Sequence, residues 1–90
     1  MHISDISRHS LETAYCFMHQ KQRVYQYSNM DWQRDDIECA ISSFVDEMDP
    51  FLYSILADKR SDFLLSHARF GEDLLHAVQV LESMLFGSDE

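Results

Sequence analysis

SDFLLSHARFGEDLLHAVQVLESMLF, residues 61–86, is the longest run of the chain with no helix breaker other than Gly71. At the 3.6-residue period of a helix, Leu64, Ala68, Gly71, Leu75, Val78 and Leu85 form one stripe. Phe63, Phe70, Leu74, Ala77, Leu81 and Met84 form a neighbouring one, and together they cover about 200° of arc. A helix resting on one partner needs an apolar stripe little wider than ~100°. The stretch therefore predicts a central helix over 61–86, capped by Ser61, that touches two neighbours or more. Gly71 costs such a helix about 1 kcal/mol relative to alanine, and close approach of a neighbouring helix is the simplest reason for it. The competing account breaks the run at Phe70 and Gly71, with Glu72 and Asp73 in the first turn of a separate helix. The continuous apolar period favours one helix, kinked at most.

Working backwards from this run, charge replaces apolar periodicity over residues 57–61, ADKRS. Before that, Asp49 followed by Pro50 marks a helix start, because proline at the first helical position loses no hydrogen bond and aspartate accepts from the free amides. A short helix over 50–57 follows, with Phe51, Leu52, Ile55 and Leu56 as its apolar residues. Further upstream, Ile37, Ala40, Ile41, Phe44, Val45 and Met48 make a narrow stripe facing away from Asp36, Ser43, Asp46 and Glu47, which predicts an outer helix over 29–48. Ser28 and Asp31 have the spacing of a capping box, with Tyr27 and Trp32 placed as its hydrophobic staple; because Trp32 lies off the apolar stripe, an exposed aromatic patch with Tyr27 and Tyr25 is the alternative to that local contact. The first helix is expected over 4–27, capped by Ser4 or Asp5, with Leu11, Ala14, Tyr15, Met18 and Tyr25 on one face. Ile6, Phe17 and Val24 lie beside that face. The fold expected is all-α: one domain over 1–90, a small antiparallel helical bundle of three long helices plus one short helix.

The composition agrees. With 46% hydrophobic residues, two glycines and one proline, the chain is too apolar for disorder and too poor in turn formers for an all-β fold. A chain of this length buries only about 60% of the surface its unfolded form exposes, so association is a plausible source of stability. No run of about 18 apolar residues exists to span a bilayer. The start, MHISDISRHSL, lacks the basic and apolar regions of a signal peptide, so a cytoplasmic location and no membrane contact are expected. Cys16 and Cys39 have neither metal-ligand spacing nor the density of a disulfide scaffold, and both are read as reduced.

Net charge is −9. Residues 1–34 hold four basic and three acidic side chains, +1, whereas residues 35–90 hold three basic and thirteen acidic ones, −10. Such a balance repels nucleic acid phosphates and anionic membranes, and excludes nucleic acid as an expected partner.

Five histidines invite a search for a metal site. His9 and His19 project to the polar side of the first helix, and His76 to the polar side of the last. Asp73 and His76 form D-x-x-H, a relative of the Glu-x-x-His pair of bundle di-metal sites, but the pair is expected to point outward and the inner stripe of 29–48 contains no acid. They are the weaker metal candidates, and no metal or cofactor is assigned. His67 falls inside the apolar arc, which predicts a buried neutral imidazole bonded to Tyr15, Tyr25 or Tyr53. Serine elbows, phosphate loops and nucleotide fingerprints are absent, and no catalytic residue is assigned. Phe17, Val24, Leu65, Val80 and Phe86 exceed what a core of this size needs and are the expected interface. The reading is a small acidic protein–protein interaction or regulatory module, expected to self-associate, with an unknown heteropartner left open. Two alternatives stand beside it: a metal-dependent or acid/base enzyme using His67, His76, Asp73 and Glu72, and an antitoxin-like or nucleic-acid-mimicking regulator of a basic partner.

Overall fold

The structure, a computed structural model, describes residues 7–87. Four α-helices follow one another: α1 Arg8–Tyr27, α2 Asp31–Glu47, α3 Pro50–Ala57 and α4 Phe70–Phe86, with a 3-10 turn at His67–Arg69 leading into α4. Three long helices and one short one make a small antiparallel bundle. The direction is fixed by aromatic pairs: Tyr25, late in α1, packs on Phe70 at the start of α4, while Tyr15 meets Phe86 at its end. Phe17 stacks on Phe44 in the same antiparallel sense between α1 and α2, with ring centroids 4.6 Å apart.

Local chemistry sets most boundaries. Ser7 caps α1 by accepting from the Ser10 amide, whereas Ser4, Asp5 and Ile6 lie outside the described residues. Asp49 caps α3 by accepting from the Phe51 amide at 2.8 Å, with Pro50 in the first turn, as the dipeptide predicts. The capping box before α2 does not form. Met30 occupies the cap position without a side-chain bond, and Ser28 is buried, its hydroxyl donating to Gln33 Oε1 at 2.9 Å. Nor does the staple form: Tyr27 and Trp32 are 73% and 62% exposed, and the Trp32 indole N–H points to Met30 Sδ.

The largest departure is in residues 61–86, which are not one helix. Residues 61–65 are turns, and α4 begins only at Phe70. Phe63 and Leu64 reach the core, as the apolar spacing requires, but from a turn in which Leu64 has φ 60°. A left-handed leucine costs roughly 1–2 kcal/mol, so something must hold it. Tertiary bonds do so from both sides of the peptide group joining Phe63 to Leu64. The Tyr53 hydroxyl of α3 donates to the Phe63 carbonyl at 2.8 Å, and a carboxylate oxygen of Asp73 on α4 accepts the Leu64 N–H at 3.0 Å. Arg60 forks onto the same carboxylate and onto Asp62, holding the Asp62 carboxyl below the ordinary carboxylate range.

The break narrows the face of α4. Its core residues are Phe70, Leu74, Ala77, Val78, Leu81 and Leu85, while Ala68 and Leu75, assigned to the apolar arc by spacing, are exposed. The helix is still central, packing on α1 along its length and on α3. Gly71 sits in its first turn and is not crossed closely by a helix: a Cβ there would lie 3.4 Å from the Tyr25 ring, ordinary contact. Among the described residues no helix is long and apolar enough to cross a membrane.

Candidate functional site

The break before α4 carries His67 out of the core. The expected neutral, buried imidazole is instead a side chain 72% exposed, with Nδ1 2.7 Å from Glu38 Oε2 on α2. The apolar arc misplaces it because the arc assumes a helix that residues 61–66 do not form. Glu38 itself is only 20% exposed and accepts a second bond, from the Tyr25 hydroxyl at 3.0 Å. Asp35, one turn before Glu38 on the same face of α2, brings another carboxylate to the imidazole: one ligand atom from each of Asp35, Glu38 and His67 lies within 4.8 Å of the others.

Each member is positioned by a different part of the fold. Tyr25 is anchored by its ring, buried against Phe70 and covered by the Arg34 guanidinium at 5.0 Å. Arg34 is itself held by donating from Nε to the Ser28 carbonyl. Burial, followed by the bond to Glu38, pushes the Tyr25 hydroxyl up to about 12, so it remains a donor at any ordinary pH. The hydrogen bond and charge of Glu38, with smaller contributions from Asp35 and Asp31, raise the His67 imidazole above its ordinary value. An open groove of about 570 Å³ lies alongside, lined by Gln22, Tyr25, Arg34, His67, Gly71 and Glu72. A second, of about 420 Å³, borders Asp35, Glu38 and Leu65. The arrangement can exchange protons or ligate a cation. Among the described residues no serine or cysteine is bonded to the imidazole to act as a nucleophile.

The other expected sites separate. Tyr15 stacks on His19, and Tyr53 serves the Phe63 carbonyl, its hydroxyl raised in pKa by burial, so only Tyr25 joins His67 through a shared partner. Asp73 does not point outward: it is 2% exposed and its oxygens are taken by Arg60 and the Leu64 amide. His76 stands edge-on to Phe63. Phe17 and Val80 are half-buried against the core, whereas Val24, Leu65 and Phe86 are exposed. Cys16 and Cys39 are exposed and free of disulfides.

Sequence reasoning missed Asp35 and Glu38. Their i, i+3 spacing on a polar helix face was a visible signal, but nothing in one dimension aims it at residue 67. At the corner between α1 and α2 Tyr27, Met30 and Trp32 all stand exposed, the aromatic patch that the sequence offers as the alternative to a staple, although Tyr25 is buried. Comparison with known proteins finds no family model, curated protein or solved structure that matches the chain.

Proposed function

We propose that the chain is a small interaction module without catalytic activity of its own, holding a basic partner protein on α2 and the adjoining aromatic corner. One observation carries the reading. Helix α2 holds Asp31, Asp35, Asp36, Glu38, Asp46 and Glu47 against the single cation Arg34, and at its start Trp32 and Met30 are 62% and 55% exposed. Large apolar side chains left in water beside like charges favour a partner that supplies both apolar cover and positive charge. Trp and Met are also residue types that concentrate binding energy at interfaces, which supports the corner as the anchor and the acidic face as the steering field.

Self-association is the weaker occupant of this surface. A net charge of −9 opposes bringing two acidic α2 faces together, and two of the apolar residues expected at an interface, Phe17 and Val80, are engaged with the core margin.

Affinity capture tests the reading, comparing the wild-type chain with a Met30→Ala, Trp32→Ala double variant, with light scattering of the free chain alongside. The supporting result is a protein of basic charge retained by the wild type, released as salt rises, and lost from the double variant. Equal retention by both chains would remove the corner from the interface. A stable dimer broken by the double substitution would give the corner to a second copy and overturn the basic-partner reading.

A further inference from the structure

We propose that Asp35, Glu38 and His67 form a binding site for a divalent cation of borderline character, zinc being the type. The site shares Asp35 and Glu38 with the acidic face of α2 proposed above, but the inference rests on the convergence of these two carboxylates with His67 and needs no protein partner.

The donor set points to the ion. A neutral imidazole with two carboxylates carries two negative charges, which one divalent cation balances. Imidazole nitrogen suits zinc, nickel and cobalt, whereas magnesium and calcium take oxygen ligands. Three protein ligands with further positions open to water is the arrangement of an accessible zinc site rather than a closed structural one.

The geometry needs little change. One ligand atom from each residue already lies within 4.8 Å of the others, and ions of this class hold nitrogen and oxygen at about 2.0–2.2 Å. The contact of His67 Nδ1 with Glu38 Oε2, at 2.7 Å, is too short for an intervening ion and has the length of a hydrogen bond, which needs a proton between the two atoms. Replacing that proton by the cation requires the imidazole to swing outward, and a side chain 72% exposed is free to do so. Asp35 is exposed and can turn inward without breaking the bonds that Glu38 makes.

The site also has the outer support that metal ligands use. The Tyr25 hydroxyl donates to Glu38 Oε2 at 3.0 Å and fixes that carboxylate from the buried side, while the Tyr25 ring is locked between Phe70 and Arg34. Two ligands come from α2 and the third from the turn before α4, so an ion would tie together two segments that are separate in the chain.

The test is calorimetric titration of the purified full chain, stripped with chelator, with zinc, and the visible spectrum of the cobalt-loaded protein. Zinc is expected to bind at one equivalent. His67→Ala and Asp35→Asn should each lower affinity about tenfold or more, with Tyr25→Phe showing the smaller loss of an outer partner. His76→Ala should leave binding unchanged. Magnesium and calcium should not compete. The proposal is overturned if zinc at about 100 μM does not bind. Binding that persists unweakened in either His67→Ala or Asp35→Asn overturns it too, as does calcium binding as tightly as zinc. Both substituted side chains are exposed, so circular dichroism should show the folds intact; if His67→Ala lost helix, His67→Gln would serve the same comparison.

Discussion

Tyr53 and Asp73 grip one peptide group from its two sides: the tyrosine hydroxyl donates to the Phe63 carbonyl at 2.8 Å while the carboxylate accepts the Leu64 amide at 3.0 Å. The residues come from α3 and α4, so the clamp joins both helices to the turn between them. It lets Leu64 occupy a left-handed conformation with its side chain 3% exposed. It also fixes where α4 starts, and hence where His67 emerges beside Glu38. A buried polar contact in the core thus decides the composition of a surface site some residues away.

Removing either side of the clamp should destabilise the fold unequally. Asp73→Ala leaves a buried amide without its acceptor, which costs about 2 kcal/mol, whereas Tyr53→Phe forfeits one neutral hydrogen bond at about 1 kcal/mol. Asp73→Asn retains an acceptor oxygen and should fall between the wild type and Asp73→Ala. Because the two bonds share one peptide group, the double variant should cost less than the sum. Urea melts measure all four; strict additivity would show that the two bonds do not support each other.

Lys59 is the contrasting case, a left-handed residue whose turn is closed only by a local backbone bond, the Arg60 N–H donating to the Ala57 carbonyl at 3.1 Å. It has φ 71° and an exposed side chain, in the turn that ends α3. Glycine enters that region without the steric penalty, though it adds freedom to the unfolded chain. Lys59→Gly should therefore raise stability by about 0.5–1 kcal/mol. A thermal melt that shows lower stability would mean the lysine side chain has a role the left-handed turn conceals.

The helical bundle was legible because apolar spacing and Asp49–Pro50 are local signals, and local signals set helix number and the residues that face inward. Phe63 and Leu64 show the limit. Their spacing correctly sends them to the core, but a helix and a clamped turn can bury the same two side chains. What separates the alternatives is a bond between Leu64 and Asp73, nine residues apart, together with Arg60. Periodicity does not encode such a contact, and so it puts His67 inside the arc, whereas the imidazole stands outside it. Asp35 and Glu38 were readable as a pair on one face of α2. Their convergence on His67 was not, because it depends on the same clamp.

Leu74 and Leu81 are fully buried on the core face of α4, with no exposed surface left to either. Substituting alanine deletes methyl groups from a packed site and leaves a cavity, at about 2–5 kcal/mol each. Leu75, one residue on from Leu74, is 42% exposed despite lying on the sequence's apolar stripe, and its substitution should cost well under about 1 kcal/mol. Chemical denaturation of the two single variants at positions 74 and 75 would check the narrowed face directly; equal losses would restore the wider arc.

Trp32 is the only tryptophan and is 62% exposed, so its fluorescence reports the corner between α1 and α2. The folded chain should emit as a solvent-exposed indole and be quenched readily by iodide or acrylamide, with little change of wavelength on unfolding. Had Trp32 packed on Tyr27 as a staple, folding would shift its emission to the blue. A shielded indole in the free monomer would remove the exposed anchor on which the docking proposal rests.

The His67–Glu38 pair gives stability a pH dependence whose sign follows from the direction of the shift. Glu38 raises the folded-state pKa of His67, with Asp35 and Asp31 on α2 adding to it, while Tyr25 from α1 stays neutral and donates to the same carboxylate. The folded chain thus binds more proton than the unfolded chain above the unfolded histidine value of about 6.5. The pair's contribution is complete below that value and is lost as pH rises through the raised one. Tyr25 adds a second loss of the same sign at alkaline pH, between its ordinary value of 10.0 and the value of about 12 to which burial pushes it. Urea melts in chelator between pH 5 and 8 should show stability falling upward through this range in the wild type and a flatter profile in His67→Gln. A profile unchanged by that substitution would mean that the imidazole and Glu38 do not pair in solution.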